Sequence, residues 1–285
     1  MDDLQRRALY QAFLPTDGGP RAFVWKYSQP IGGLRPRHFH LEPELNLVVR
    51  GRAVFGVGRR ILSVGQGELL TFPSGQDHVL LDASPDLYLY AVGLDPAFSA
   101  EVLKIEGGAV LPLHVKLGEP DLAALVDRAA AIVDRHGVDQ FAAELWERAH
   151  WLGARSGPGA RSATHVLTRR ALQVLATAPE LGLDTLADRL RAHPSEVSRH
   201  FHRDLGLTLV RYRMRLRLLH LIRLVDAGER DLMTSAAAAG FGSYSQCHRM
   251  FQSELGCAPR QFFFSGLREQ MQLAYSPSRV ARTLP

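Results

Sequence analysis

Four side chains in the N-terminal half of the chain have the types and spacing of metal ligands. His38 and His40 lie two residues apart, Glu44 shares their parity, and His78 follows after further apolar runs. Residues two apart on a β-strand point to the same face, so these side chains would project together from an extended segment. Three imidazole nitrogens and one carboxylate oxygen suit Zn, Ni, Fe or Mn, and the ligands alone do not choose among these metals. Glu42 has the same parity and competes with Glu44 for the oxygen position.

A second group of polar side chains, in the C-terminal third, has the types that contact bases in DNA. Val197, Phe201 and Leu205 recur every four residues, which predicts the buried stripe of a helix. A second helix with the same pattern follows fifty residues later. The side chains expected on the outward faces are Ser195, Ser198, Arg199 and His202 in the first helix and Tyr244, Ser245, Gln246 and Arg249 in the second. Such residues can reach base edges in the major groove.

The two helices belong to a unit that occurs twice in the sequence. The matching pairs are Ala187 and Ala237, Val197 and Cys247, Arg199 and Arg249, Phe201 and Phe251, Leu205 and Leu255, and Gly206 and Gly256. Each unit reads as a helix of small residues, a turn and a second helix, with the paired alanine at the close approach of the two helices. The range Leu209–Ala227 predicts a connecting helix that would hold the second helices about one DNA turn, ~34 Å, apart. A helical bundle with a solvated basic face is the alternative.

The segment from Ala236 to Phe262 resembles the signature of AraC-type transcription regulators. That signature has a Gly-Phe-x-Ser-x-Ser stretch, then Arg-x-Phe and Gly-x-x-Pro. Here it is formed by Gly240, Phe241, Ser243, Ser245, Arg249, Phe251, Gly256 and Pro259. The resemblance covers roughly residues 165–264, and it implies base contacts at the candidates above except His202. The chain departs from the family at Cys247, usually phenylalanine, and at Leu219–Leu221, where alanine is favoured.

The metal-ligand candidates lie in two further motifs that are similar to those of the cupin barrel. The first is HxH-x3-E-x6-G, ending at Gly51, and the second is G-x5-PxG-x2-H, running from Gly67 to His78. Asp82 stands where the second motif usually has asparagine. AraC-type regulators commonly carry a cupin-like sensor domain, so the resemblance implies that this half binds a metal or a small-molecule effector.

Loss of the metal is the alternative, because many regulatory cupins are expected to hold an organic effector instead. Tyr88 and Tyr90 are then candidates for the walls of an effector pocket. Ordinary core positions for both tyrosines are an equally good interpretation.

Charge and composition divide the chain into two domains. Short apolar runs between residues 20 and 95 predict strands, and residues 161–265 carry 15 arginines against 9 acidic residues. Such a basic excess is typical of a surface that contacts nucleic acid. We expect an all-β cupin barrel with flanking helices over 1–112, a helical dimerisation segment over 113–153, a flexible linker over 154–164, an all-α tandem helix-turn-helix over 165–265 and a C-terminal tail over 266–285.

These features predict a sequence-specific transcription regulator that binds promoter DNA and is not an enzyme. The family resemblance favours an activator, which would contact RNA polymerase, and a homodimer. The first alternative is a metal-dependent cupin enzyme fused to a DNA-binding domain, and the second is an architectural DNA-binding protein without a ligand. The sequence shows neither a signal peptide nor the ~18 consecutive apolar residues of a membrane helix, so we expect a cytoplasmic protein without a membrane partner.

Overall fold

The computed structural model describes residues 9–12, 21–28, 36–104, 114–132, 134–155, 164–273 and 282–283. The strands are β1 (Leu9–Tyr10), β2 (Ala22–Ser28), β3 (His38–Phe39), β4 (Glu44–Arg50), β5 (Arg52–Val57), β6 (Arg60–Gly65), β7 (Glu68–Phe72), β8 (His78–Ala83), β9 (Tyr88–Leu94), β10 (His114–Lys116) and β11 (Arg282–Thr283). The helices are α1 (Pro96–Leu103), α2 (Glu119–Ala130), α3 (Arg135–Arg155), α4 (Val166–Thr177), α5 (Leu183–Leu190), α6 (Pro194–Leu205), α7 (Leu209–Asp226), α8 (Leu232–Ala238), α9 (Tyr244–Leu255), α10 (Pro259–Phe264) and α11 (Leu267–Leu273). A β-rich N-terminal part and a helical C-terminal part are therefore confirmed.

The strands form two sheets. The first has the order β1-β3-β8-β5-β6 and the second has the order β10-β7-β4-β9-β2-β11. Apolar side chains from both sheets share one core, which includes Phe55, Val64, Phe72 and Leu89. In the described residues the two sheets stay separate, so the closed barrel expected from the cupin motifs is not confirmed.

The segment expected to serve dimerisation packs on the β-rich domain; its role in dimerisation stays a prediction. Helices α2 and α3 cover the outer face of the six-stranded sheet, where Phe141, Leu145 and Trp146 are buried. His114–Lys116 pairs antiparallel with β7, so the boundary at residue 112 is wrong. The reason is that the backbone of His114–Lys116 satisfies its hydrogen bonds by pairing with β7 before the helices begin.

The limits of the linker and of the tail also differ from expectation. Helix α3 continues to Arg155, two residues into the predicted linker, and residues 156–163 lie outside the described part of the chain. The tail contributes α11 and the strand β11, which pairs antiparallel with β2. Arg282–Thr283 therefore belongs to a sheet of the N-terminal domain.

The C-terminal domain contains the two predicted helix-turn-helix units, α5–α6 and α8–α9, joined by α7. The predicted stripes of α6 and α9 are buried; Phe201 and Phe251 have no exposed surface. Both helices end at glycines in the left-handed conformation, Gly206 with φ 71° and Gly256 with φ 75°. A glycine in this position caps a helix without a Cβ clash.

The expected role of Ala237 is wrong. Ala187 is buried in the first unit, but in the second unit Ala236 is buried and Ala237 is exposed. The turn between the helices has three residues in the first unit (191–193) and five in the second (239–243). The second helices begin fifty residues apart, at 194 and 244, whereas the first helices begin forty-nine residues apart, at 183 and 232, and end forty-eight apart, at 190 and 238.

A buried arginine joins the two domains. Arg215, in the middle of α7, is 1% exposed. Its Nη1 donates to Asp77 Oδ1 and to the carbonyl oxygen of Gly75, both at 2.9 Å, and its Nη2 donates to Glu254 Oε2 at 2.8 Å. The guanidinium carbon lies 4.3 Å from the centre of the Phe39 ring. The side chain thus bridges the loop before β8 and helix α9.

Both carboxylates that face Arg215 are held in the charged form. Burial raises the pKa of Asp77, but Arg215 and Arg37 outweigh it and hold that pKa below its ordinary value. Burial likewise raises the pKa of Glu254, but the charges of Arg215 and Arg211 outweigh this effect and hold that pKa below its ordinary value. A buried charge needs such partners, because removing it from water is costly.

Apolar and polar contacts extend this interface. The Tyr212 hydroxyl donates to the carbonyl oxygen of Ser74 at 3.0 Å, and Gln76 Nε2 donates to that of Leu205 at 3.1 Å. The rings of Tyr10 and Phe262 meet edge to face at 5.9 Å. The first described strand therefore packs on α10, the helix that follows the second helix-turn-helix unit.

Replacing Arg215 with alanine is expected to lower the free energy of unfolding by ~3–5 kcal/mol, because Asp77 and Glu254 would remain buried without their shared partner. Urea denaturation followed by circular dichroism measures the change. Arg223→Ala, at an exposed position of the same helix, is the control and should cost no more than ~0.5 kcal/mol. Equal effects of the two substitutions would contradict the role assigned to Arg215.

Candidate metal centre and nucleic-acid interface

The four predicted metal ligands lie together. His38 in β3 pairs directly with His78 in β8, and Glu44 begins β4 in the other sheet. One ligand atom from each of His38, His40, Glu44 and His78 lies within 4.8 Å of the others, and all four side chains are buried. The cluster therefore forms where the start of β4 in the second sheet faces β3 and β8 of the first. That these residues hold a metal stays a prediction.

Neighbouring backbone and side-chain groups orient the candidate ligands. Nδ1 of His78 lies 3.1 Å from the carbonyl oxygen of Gln76, and Nδ1 of His38 lies 3.0 Å from that of Pro36. A carbonyl can only accept, so each Nδ1 carries the proton and each Nε2 offers a lone pair, the arrangement usual behind metal-bound histidine. His78 Nε2 is buried, has no hydrogen bond and lies 3.6 Å from Glu44 Oε1.

The electrostatics of the cluster also suit a cation. Burial lowers the pKa of His38, and the proximity of two further imidazoles, His78 and His40, disfavours a positive charge on it and lowers the pKa further. Burial raises the pKa of Glu44, but interactions with His78 and His40 outweigh this effect and hold it well below its ordinary value. Neutral imidazole and ionised carboxylate are the protonation states that metal binding requires. The residues present therefore fit a divalent transition metal.

The structure distinguishes the two rival carboxylates. Glu44 Oε2 lies 3.2 Å from His40 Nε2, whereas Glu42 Oε2 lies 3.6 Å from His40 Nδ1, on the other side of the ring. Asn46 Nδ2 donates to Glu44 Oε1 at 2.7 Å. The geometry thus favours Glu44 as the ligand and Glu42 as a residue that orients His40.

Tyr88 and Tyr90 lie away from this cluster. Their side chains project from the face of β9 that α3 covers, where Tyr90 packs against Phe141 with ring centres 5.8 Å apart. Leu89, of opposite parity, lies in the core between the sheets. The Tyr88 hydroxyl donates to that of Tyr90 at 2.9 Å. The two tyrosines therefore do not border the metal-ligand cluster, and these contacts fit the core interpretation. That they wall an effector pocket stays a prediction.

The candidate DNA-contacting residues lie on the outward faces of α6 and α9. Five of the side chains are exposed and three are half-buried: Ser195, Arg199, His202, Ser245 and Arg249 in the first group, and Ser198, Tyr244 and Gln246 in the second. Gln246 Oε1 accepts a hydrogen bond from the backbone of Gly242 at 3.0 Å, which fixes the start of α9. His202 differs from the others because it borders a cavity shared with the N-terminal domain.

Sequence reasoning missed the residues that connect these two sites. Asp77 and Gly75 appear in the sequence only as positions within a motif, and Arg215 as one of several arginines along α7. A buried arginine leaves no periodic signal, because it replaces an apolar residue with a charged one. A helix position that faces the core but carries arginine was the available clue.

Comparison with known families matches both halves of the chain. Residues 29–150 match the AraC-like ligand binding domain, and residues 186–264 match a helix-turn-helix domain. The two matches occur in the order found above, β-rich domain first and helical domain second. The chain belongs to the AraC-type regulators, with a ligand-binding domain followed by a DNA-binding domain.

Similar solved structures share little sequence with this chain. ToxT from Vibrio cholerae, solved with a bound unsaturated fatty acid, is 11% identical over 85% of this chain and 94% of its own, with a TM-score of 0.43. The AraC-like transcriptional activator CuxR is 16% identical over 74% of each chain, with a TM-score of 0.31. Oxalate decarboxylase from Bacillus subtilis is 26% identical over 27% of this chain and 22% of its own, with a TM-score of 0.25. No curated protein matches the chain in sequence.

Within the described ranges, no helix has both the length and the apolar character needed to cross a membrane.

Replacing His38 and His40 together with alanine is expected to remove the bound metal, because two of the four ligands are lost. Elemental analysis of the purified protein measures the metal content. Glu42→Gln is the matched control and should retain the metal, whereas Glu44→Gln should lose it. A double variant with unchanged metal content would place the site elsewhere.

Replacing Arg249 with alanine is expected to cost ~1–3 kcal/mol in binding to the specific DNA site and to relax base preference at one position. Fluorescence anisotropy with specific and random duplexes measures both effects. Arg52→Ala, on the exposed surface of the β-rich domain, is the control. An equal loss of affinity for both duplexes would instead indicate a phosphate contact.

Proposed function

We propose that this protein is a sequence-specific transcription regulator whose affinity for DNA depends on a metal or metal-bound effector held by His38, His40, Glu44 and His78. One observation carries the proposal. The ligand cluster adjoins the contact between the domains, because Asp77 precedes His78 and its carboxylate binds Arg215 of α7. The residue beside a ligand thus contacts the helix that joins the two helix-turn-helix units.

The cluster and the domain contact are also connected through the backbone. The amide of Gly75 donates to the carbonyl oxygen of His40 at 2.9 Å, and the carbonyl of Gly75 accepts from Arg215. A change at His40 or His78 would therefore reach Gly75 and Asp77, the two groups of the N-terminal domain that hold the Arg215 side chain. When bound, a divalent metal would supply a Lewis-acid centre able to hold an effector that carries oxygen ligands.

Helix α7 provides the route from this contact to DNA. It begins beside the end of α6 and packs against both α8 and α9. A small displacement of α7 would change the separation and angle of α6 and α9, which must fit successive turns of the major groove. Coupling between distinct sites of this kind is typically worth a factor of about 5 to 150 in affinity.

We propose further that the protein acts as a homodimer and activates transcription through RNA polymerase. Because α2 and α3 bury their apolar faces on their own sheet, a dimer would use their outer surface, where Trp151 is 55% exposed. We propose no enzymatic activity, because both matching family models describe domains of regulators.

The proposal is tested by measuring DNA affinity in chelator-treated and metal-reloaded protein, using a duplex selected from a random library. The metal is expected to change the dissociation constant at least about fivefold. Asp77→Asn should keep the metal, shown by elemental analysis, but lose most of this response. Affinity should also fall steeply with salt in every form.

The outcomes separate the parts of the proposal. An identical dissociation constant with and without metal would contradict metal control, while leaving DNA binding intact. Absence of any salt-dependent DNA binding would contradict the proposal that the protein is a transcription regulator. An unaltered metal response in Asp77→Asn would contradict the route through Arg215.

A further inference from the structure

A cavity of about 430 Å³ lies between the two domains, apart from the metal-ligand cluster. The N-terminal domain contributes Arg37, Asp77 and the turn between β5 and β6, which carries Arg59. The C-terminal domain contributes Arg211 and Arg215 of α7, and His202 of α6. None of the four candidate metal ligands lines this cavity.

The walls of the cavity carry an excess of positive charge. Four guanidinium groups line it, and among the described lining residues Asp77 is the only acid. Asp77 binds Arg37 and Arg215, each at 2.9 Å, and Glu254 behind the wall binds Arg211 at 2.6 Å and Arg215 at 2.8 Å. Two carboxylates therefore oppose four guanidinium groups, which leaves an excess of two positive charges.

Part of this charge has no partner in the described structure. Arg59 is exposed and makes no ion pair with any described residue, and the same holds for His202. Arg211 keeps half of its side chain exposed although it binds Glu254. Thr208, the N-cap of α7, also borders the cavity, so the positive end of that helix adds to the field.

The cavity is held in shape by close contact between the backbones of the two domains. A Cβ built on Gly58 would lie 2.1 Å from the carbonyl oxygen of Leu205, and one on Gly206 would lie 2.5 Å from the amide nitrogen of Arg59. Both glycines have positive φ, and the absence of a Cβ lets the two turns lie this close. Three of the guanidinium groups, those of Arg37, Arg211 and Arg215, are also held by carboxylates before any ligand arrives.

We propose that this cavity binds a small organic phosphate with two negative charges, as a second effector site independent of the metal centre. Its volume lies within the range of about 300–1,000 Å³ typical of small-molecule sites. Phosphate oxygens accept the paired N–H groups of guanidinium in a fixed geometry. The ligand would be held by Arg37, Arg59, Arg211 and His202, and so would tie the domains together.

Phenyl phosphate is a suitable probe, used on chelator-treated full-length protein so that the metal centre plays no part. Isothermal titration should show saturable binding with one site per chain, and thermal unfolding should shift upward because the ligand binds the folded state. Arg59→Glu should weaken binding by at least about tenfold, since one charge-assisted contact is replaced by repulsion. Potassium chloride at equal ionic strength should have no such effect.

Arg50→Glu is the matched control, because Arg50 is also an exposed arginine at a strand end of the β-rich domain but lies outside the cavity. It should bind phenyl phosphate as the unaltered protein does. If both variants bound phenyl phosphate equally weakly, the effect would come from general surface charge, and the proposal would be overturned. Tighter binding of citrate than of phenyl phosphate would overturn the assignment to a phosphate.

DNA backbone phosphate is the other anion that could meet these arginines. The same two variants are therefore measured against a random duplex. If Arg59→Glu weakens binding to DNA while the unaltered protein shows no saturable binding of phenyl phosphate, the cavity wall is a DNA contact and the proposal is overturned. A negative result here would not contradict the proposed control of DNA binding by metal, because the two sites share no ligand residue.

Discussion

The arrangement of the two domains depends on how one buried charge is satisfied. Arg215 has almost no contact with water, and its donors are met by Asp77 and Gly75 from one domain and Glu254 from the other. An unpaired guanidinium at such a position would cost several kcal/mol. Neither domain alone supplies both carboxylates, so the charge is satisfied only when the domains meet in this orientation.

The candidate metal centre lies beside this buried charge. The loop that carries Gly75 and Asp77 leads directly into β8. The first residue of β8 is the ligand His78. The same loop therefore faces the ligand cluster on one side and α7 on the other. Phe39, between the ligands His38 and His40, packs under the Arg215 guanidinium, so two of the segments that hold ligands also form the domain contact.

The sequence was sufficient where a short-range rule decides the structure. The two-residue spacing predicted that His38 and His40 would project together, and four-residue periodicity predicted the buried stripes of α6 and α9. Glu44 joins the two histidines from β4 of the other sheet, which strand parity did not predict. Glycine at the end of each helix fixed where α6 and α9 stop. These features depend on residues within one or two turns of each other.

Prediction from the sequence failed where the environment of a residue depends on a distant part of the chain. Tyr88 and Tyr90 are buried by α3, fifty residues further on, and no pattern within β9 reveals which face that helix will cover. Arg215 depends on two carboxylates more than thirty residues away on either side. The cavity between the domains has no sequence signal of its own, because its walls are brought together only by the docking that Arg215 stabilises.

The close contact of Gly58 with Leu205 has a consequence for how such regulators diversify. Families that join a sensor to a DNA reader are often regarded as sets of interchangeable modules. Here α7 of the DNA-binding domain carries a charge that only a sensor with an acid at the position of Asp77 can neutralise. The end of α6 in the same domain fits only against a turn without a Cβ. A foreign sensor fused to this reader would need both features, so the two halves are expected to change together in evolution rather than to be exchanged.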